Sequence, residues 1–232
     1  MQLAPEDITA IRLSLQIALT ATLLSLPLGF AVAWLLSFKT FRGKILLEVF
    51  INLPLTLPPV VIGYFLLLML GRHGWLGSLL NSAGIELIFT WKAAVIASAT
   101  VGFPLLVRSI RLGMDSINRQ LIQAAESLGS SWFDTLLTVI LPLSLKGILA
   151  GSSLMFARSL GEFGATIIVA GNIPGLTQTI PLAIYDYASS PSSTQMALSL
   201  CLVSVAISVV VLFIHEYLTG TVEKEGNHEA PD

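Results

Sequence analysis

Apolar residues run along this chain in long uninterrupted blocks, with neither the strict alternation of strands nor the single apolar stripe of a surface helix. Leu13–Leu36, Val49–Leu70, Ala93–Leu112 and Met196–Ile214 each approach the ~20 residues that cross a bilayer at ~1.5 Å per residue. A fifth block, Gly147–Ala170, is interrupted by Arg158 and Glu162 but is apolar at both ends. The pattern predicts an all-α fold, a polytopic transmembrane helical bundle of about five spans. A single transmembrane domain is expected over 1–218, and the short, polar, acidic stretch Thr219–Asp232 reads as a disordered tail.

Proline and glycine fall inside these blocks. Asn52-Leu-Pro-Leu-Thr-Leu-Pro-Pro59 places three prolines early in the second span, Pro27 and Gly29 lie in the first, and Gly102 and Pro104 in the third. A proline removes an amide donor and clashes one turn back, so each site predicts a kink or locally opened backbone. Within a bilayer such backbone must be satisfied by protein or by a water-filled cavity. Bundle packing and a transport path lined by bent helices both answer that requirement.

One polar stretch interrupts the apolar pattern, QAAESLGSSWFDTLLTVILP from Gln123 to Pro142. Asp115 or Ser116 is the expected cap of a helix running to Leu128, and Gly129 suits the left-handed position that ends one. Ser131 and Asp134 then form a Ser-x-x-Asp capping box ahead of a second helix. Pro142, two turns in, is placed to bend that helix toward the membrane normal. In the first helix Leu121, Ala124, Ala125 and Leu128 share a face, displaced from Gln120, Gln123 and Ser127. The alanines keep that face low. Because the helix is neither basic nor rich in large apolar residues, docking into a protein groove fits it better than lying on lipid headgroups.

Composition sharpens the class. Hydrophobic residues make up 54% of the 232 and charged residues 11%, against roughly 25% charged in soluble domains. A net charge of −2 with no basic block gives no reason to expect nucleic acid. The single cysteine, Cys201, excludes an intrachain disulfide framework or a cysteine-built metal site, and His73, His215 and His228 are too scattered to form a metal cluster. The leader carries Glu6 and Asp7 where a signal peptide has positive charge, and its apolar run is too long, so it reads as a retained span.

Charge also predicts orientation. Lys39, Arg42, Lys44, Arg108, Arg111, Arg119, Lys146 and Lys224 account for eight of the twelve basic residues. With their loops inside, only Arg12, Arg72 and Lys92 are outside, and Arg158 lies within the fourth span. The N-terminus is then outside and the C-terminus inside. The polar insert, about 113–142, becomes cytoplasmic.

Gln123-Ala124-Ala125, Gly129 and Leu141-Pro142 have the spacing of a known signature, Glu-Ala-Ala-x3-Gly-x9-Ile-x-Leu-Pro. The chain thereby resembles the permeases of binding-protein-dependent ABC importers. Gln123 stands where the family has glutamate and Val139 where it has isoleucine, so a polar contact replaces a charged one. Leu53–Leu67, Ala157–Ala165 and Ala170–Tyr185 further resemble the molybdate branch. Sulfate and thiosulfate permeases share an Arg-x-x-Gly-Glu segment and are the nearest competitors, with tungstate an alternative substrate. The resemblance implies that Gln123, Ala124, Ala125, Gly129, Leu141 and Pro142 form a coupling element seated in a groove of a cytoplasmic ATPase. It implies a multi-pass protein of the bacterial inner membrane. The expected partners are a second permease copy, two ATP-binding subunits and a periplasmic or extracellular oxyanion-binding protein. ATP and Mg would belong to the ATPase, and no cofactor is expected in this chain.

Arg158 and Glu162, four residues apart, predict an ion pair on one helical face, and ionised groups in a span are costly enough to be functional candidates. One reading is a neutralised pair that fixes helix packing. The other is a gate or oxyanion path, in which Arg158 offers donors and Glu162 keeps the anion from binding too tightly. No phosphate-cradling Gly-x4-Gly-Lys-Ser/Thr, no His-Glu-x-x-His and no acid pair is present, so a transport subunit rather than an enzyme is expected. A stand-alone channel or secondary carrier would call for inverted repeats or a shared intramembrane charge series, and neither is found. An intramembrane enzyme would rest on Ser159 near Glu162 alone.

Overall fold

The computed structural model describes residues 4–190 and 193–228, and every element in them is helical. The long rods are α1 (Pro5–Phe38), α5 (Trp91–Asp115), α9 (Leu145–Leu160) and α12 (Thr194–His228). Between them lie α2 (Lys44–Thr56), α3 (Pro59–Leu70), α4 (Trp75–Ser82), α6 (Arg119–Ser127), α7 (Trp132–Thr135), a π-helical turn (Leu136–Ile140), α8 (Leu141–Leu143), α10 (Gly164–Val169) and α11 (Ile180–Ala188). Among the described residues three helices are long and apolar enough to cross a membrane, or up to five spans if each of two bent pairs counts as one.

The bundle is assembled on small residues. On α1, Ala10, Ser14, Ile17, Ala18, Ala21, Thr22, Ser25, Gly29 and Ala33 face inward, while Leu15, Leu19, Leu23, Leu24 and Leu28 face outward. That arrangement inverts a soluble helix: bulky apolar side chains meet the surroundings and small ones let backbones approach. A Cβ on Gly29 would stand 2.7 Å from Leu106 Cδ2 of α5. Helices α5 and α9 are closer still, since a Cβ on Gly147 would be 2.7 Å from the Ser109 carbonyl oxygen and one on Gly151 2.9 Å from that of Leu106. Around these contacts Val101, Val107, Ile110, Met114 and Met155 form the core. Helix α12 is the most peripheral rod, its Val205, Val209, Leu212 and Phe213 exposed.

Two spans expected to be continuous are broken. The block Val49–Leu70 folds as α2 and α3, with a bend of 115° between them. Pro58 and Pro59 remove two successive amide donors, and Leu57 and Pro58, each preceding a proline, take extended ψ values of 143° and 134°. The block Gly147–Ala170 stops at Leu160 and restarts at Gly164. Starts of the two restarted helices pack together: a Cβ on Gly164 would lie 2.9 Å from Pro59 Cβ, and one on Gly63 2.8 Å from the Ala165 carbonyl oxygen. A large side chain at either glycine would push α3 and α10 apart.

The connection between the apolar blocks Gly147–Ala170 and Met196–Ile214 contains α11, and the connection after the second span contains α4. At the far end, helical backbone continues through Thr219 to His228, where the sequence suggests a tail, and residues 229–232 of that tail lie outside the described residues.

Candidate functional site

The polar insert projects from the end of the bundle where α5 stops and α9 begins. Its first helix, α6, is capped by Asn118, whose Oδ1 accepts from the Gln120 N–H at 3.0 Å. The expected caps Asp115 and Ser116 instead close α5: α5 runs unbroken through Asp115, so neither residue has the extended backbone that an N-cap requires. Gly129 has φ +90° and its N–H donates to the Glu126 carbonyl, the left-handed stop that its sequence position predicts. Ser131 accepts from the Asp134 N–H at 3.2 Å and so starts α7. Asp134 does not complete a reciprocal box, since its Oδ2 accepts from the Ser130 hydroxyl at 2.6 Å.

Nothing in α6 is buried. Leu121, Gln123, Ala124 and the following Leu128 are exposed, Leu128 at 90%, and Ala125 is half-buried. The helix thus offers leucine and alanine outward. Beyond it, the Leu141 N–H donates to the Leu136 carbonyl, a π-helical step just before Pro142. The chain then turns by 65° between Trp132–Leu143 and α9, as expected where a proline has no N–H to continue the ladder. Thus Gln123, Ala124, Ala125 and Gly129 form the projecting head, and Leu141 and Pro142 the bent neck.

Residues outside the signature fasten this insert to the bundle. Trp132 packs edge-on against Trp34 of α1, ring centroids 5.3 Å apart at 72°, and Lys39 Nζ lies 5.3 Å from the Trp34 centroid. Nearby, Arg111 of α5 pairs with Glu48 of α2 at 2.9 Å and with Asp115 at 3.4 Å. Sequence periodicity has no signal for these long-range contacts within the chain; the unusual Trp132 in a polar turn hints at one.

The Arg158 and Glu162 side chains do meet, Nη1 to Oε2 at 2.8 Å, but not on one helical face. Arg158 closes α9, whereas Glu162 lies past its end and is 2% exposed. Glu162 Oε1 accepts from the Ala165 N–H at 2.8 Å, so one carboxylate both faces Arg158 and ties the restart of the helix. The Arg158 side chain is 31% exposed. On the adjoining helices, the Ser98 and Ser159 hydroxyls are buried without a hydrogen-bond partner. The structure therefore separates the two groups of sequence-predicted residues: the coupling candidates sit at one end and Arg158–Glu162 at a break in the fourth span.

At the opposite end of α1 a polar clasp escaped the sequence reading. The Tyr187 hydroxyl of α11 donates to Asp7 Oδ1 at 2.9 Å, and Asp7 Oδ2 accepts from the Ala4 N–H at 2.7 Å. Asp7 is buried, and the Ile180 N–H donates to the Ser14 hydroxyl at 2.8 Å. Among the described residues no group of three or more His, Cys, Asp or Glu is arranged to hold a metal ion.

Comparison with known proteins bears on this geometry. Residues 25–224 match the family described as binding-protein-dependent transport system inner membrane component. A Haemophilus influenzae protein named molybdenum transport system permease protein ModB is 50% identical over 94% of this chain and 96% of its own length. The Escherichia coli K12 protein of the same name is 47% identical over 94% and 96%. A solved bacterial ABC transporter, involved in the import of the acidic polysaccharide alginate, superposes with a TM-score of 0.75 at 14% identity, covering 94% of this chain and 80% of that one. That last likeness establishes the fold.

Proposed function

The chain belongs to the family of binding-protein-dependent transport system inner membrane components, and on that premise we propose that it is the permease subunit of an ATP-driven ABC importer carrying molybdate across the inner membrane. The observation that carries the substrate is the 50% identity to a molybdenum permease along 94% of the chain. Two copies would enclose the path, two ATP-binding subunits would hydrolyse ATP, and an external oxyanion-binding protein would deliver the substrate. With positive charge inside, the N-terminus is outside, the C-terminus inside and α6 in the cytoplasm.

In this reading α6 is the coupling helix. Leu121, Ala124 and Leu128 fill a groove on the ATPase, Gln123 adds a neutral polar contact, and the neck at Leu141–Pro142 carries displacement into α9. Arg158 and Glu162 act near the path: Glu162 holds the break between α9 and α10, while the exposed part of the guanidinium offers N–H donors to an oxyanion. Glu162 also makes Arg158 a weaker trap, which suits a site that must release its anion.

Reconstitution of the permease with its ATPase and binding protein in vesicles tests the proposal. Molybdate-loaded binding protein should stimulate ATP hydrolysis and uptake, and sulfate-loaded binding protein should not. Equal stimulation by both would remove the molybdate assignment, preferential stimulation by tungstate would reassign the substrate, and uptake without ATP would overturn the importer itself.

A further inference from the structure

Helix α6 has no buried residue, and behind it is a cavity of about 210 Å³ lined in part by Trp34, Phe38, Lys39, Gln123, Glu126 and Trp132. On α6, Ile122 packs against the bundle core, while Leu121, Gln123 and Ala124 are exposed. The insert's ring contact with α1 is Trp132 edge-on to Trp34, with Lys39 over the face of the same indole, beside the packing of Ile122, Leu136 and Ile140 on the core. Such a pair is directional: the ring quadrupole favours the edge approach and attracts the ammonium. Helix α1 continues from there as one helix, with Pro27 inside it, to its N-terminal end, where Ser14 and Asp7 tie it to α11. A continuous helix fastened at both ends passes a displacement from one end to the other, and the open pocket leaves the Gln123 and Glu126 side of α6 room to move.

We propose that the Trp34–Trp132 contact, steadied by Lys39, is a second transmission link, carrying movement of the coupling loop into α1 alongside the covalent route through Pro142 into α9. Trp34, Lys39 and Trp132 are positioning residues in this scheme. The link rests on the importer reading above, and it assigns a transport role to residues outside the coupling signature.

The test measures molybdate uptake and ATP hydrolysis together in vesicles containing the whole complex. Trp34→Leu, which lies outside the coupling loop, should lower the molybdate carried per ATP by about fivefold, while the ATPase still co-purifies. Trp132→Leu should do the same, Trp132→Phe should restore most of the ratio, and the double leucine variant should be no worse than either single one, because both remove one shared contact. An unchanged ratio in Trp34→Leu, or losses that multiply in the double variant, would overturn the proposal. Loss of the ATPase on purification of Trp34→Leu would also overturn it, since the contact would then serve docking. Failure of the wild-type complex to take up molybdate with ATP would instead count against the importer reading.

Discussion

Glu162 performs two tasks that two substitutions separate. Glu162→Ala removes both: the Ala165 N–H, on a residue that is 0% exposed, loses its acceptor, and Arg158 loses its counter-charge. An orphaned buried donor costs about 1–3 kcal/mol. Breaking a fully buried ion pair costs about 3–5 kcal/mol, and the exposed part of Arg158 reduces this to about 1–3 kcal/mol. The expected loss for Glu162→Ala is therefore about 2–6 kcal/mol. Glu162→Gln keeps a carbonyl oxygen for the Ala165 N–H and loses only the charge, so it should cost about 1–3 kcal/mol. A reversible unfolding titration in mixed micelles of a mild and a denaturing detergent reads both. Equal losses for the two variants would refute the separation, and no loss for either would show that the carboxylate holds nothing at the break.

Three further outcomes follow from geometry. Gly129→Val meets no atom within 4 Å but must hold φ +90°, so it should lose about 1–2 kcal/mol; ATP-driven uptake should collapse while membrane insertion, read by protease protection, persists. Gly147→Val forces a Cβ to 2.7 Å from the Ser109 carbonyl oxygen, and the separation of α5 from α9 should abolish stable expression, whereas a β-branched residue at the exposed Leu154 should be tolerated. Tyr187→Phe leaves Asp7 Oδ1 buried without its donor and should cost about 1–3 kcal/mol, visible as a lower melting temperature; an unchanged value would mean that water serves Asp7 equally well.

Burial, with the hydrogen bond to Asp7 and the charges of Asp7, Glu6 and Asp186 adding to it, pushes the Tyr187 hydroxyl up to about 12. The folded protein then holds this proton more tightly than the unfolded chain. The corresponding stability is present below the ordinary tyrosine value of about 10 and is lost as pH rises toward 12. Across the neutral range the clasp is unaffected.

Much of this fold was legible because membrane spans are written in short-range terms. Leu13–Leu36 and Ala93–Leu112 lie within α1 and α5, since about twenty apolar residues form a helix in lipid whatever their neighbours do. Gly129 and Ser131 were legible for the same reason: a left-handed stop and a side-chain cap are satisfied within a few residues. The cap of α6 was misplaced because α5 runs on through Asp115, and only then does Asn118 offer the better-placed oxygen. Arg158 and Glu162 showed the right partnership in the wrong frame. Four-residue spacing assumed a continuous helix, and Gly161 together with the packing of Gly164 on Pro59 ended it.

The sequence by itself determined the solvent for which this chain is built, its apolar helical spans, the Gly129 turn and Ser131 cap of the projecting insert, and its family. Tertiary structure decided where paired helices break, by 115° at Leu57–Pro58 and 65° beyond Pro142, that Glu162 is buried and shared between Arg158 and a helix restart, and that Trp132 finds Trp34. The division has one cause: hydropathy, helix propensity and turn chemistry act within a few residues, whereas a bend angle or a ring contact is fixed by which distant backbones can approach, and here small residues on α1, α5 and α9 set that distance.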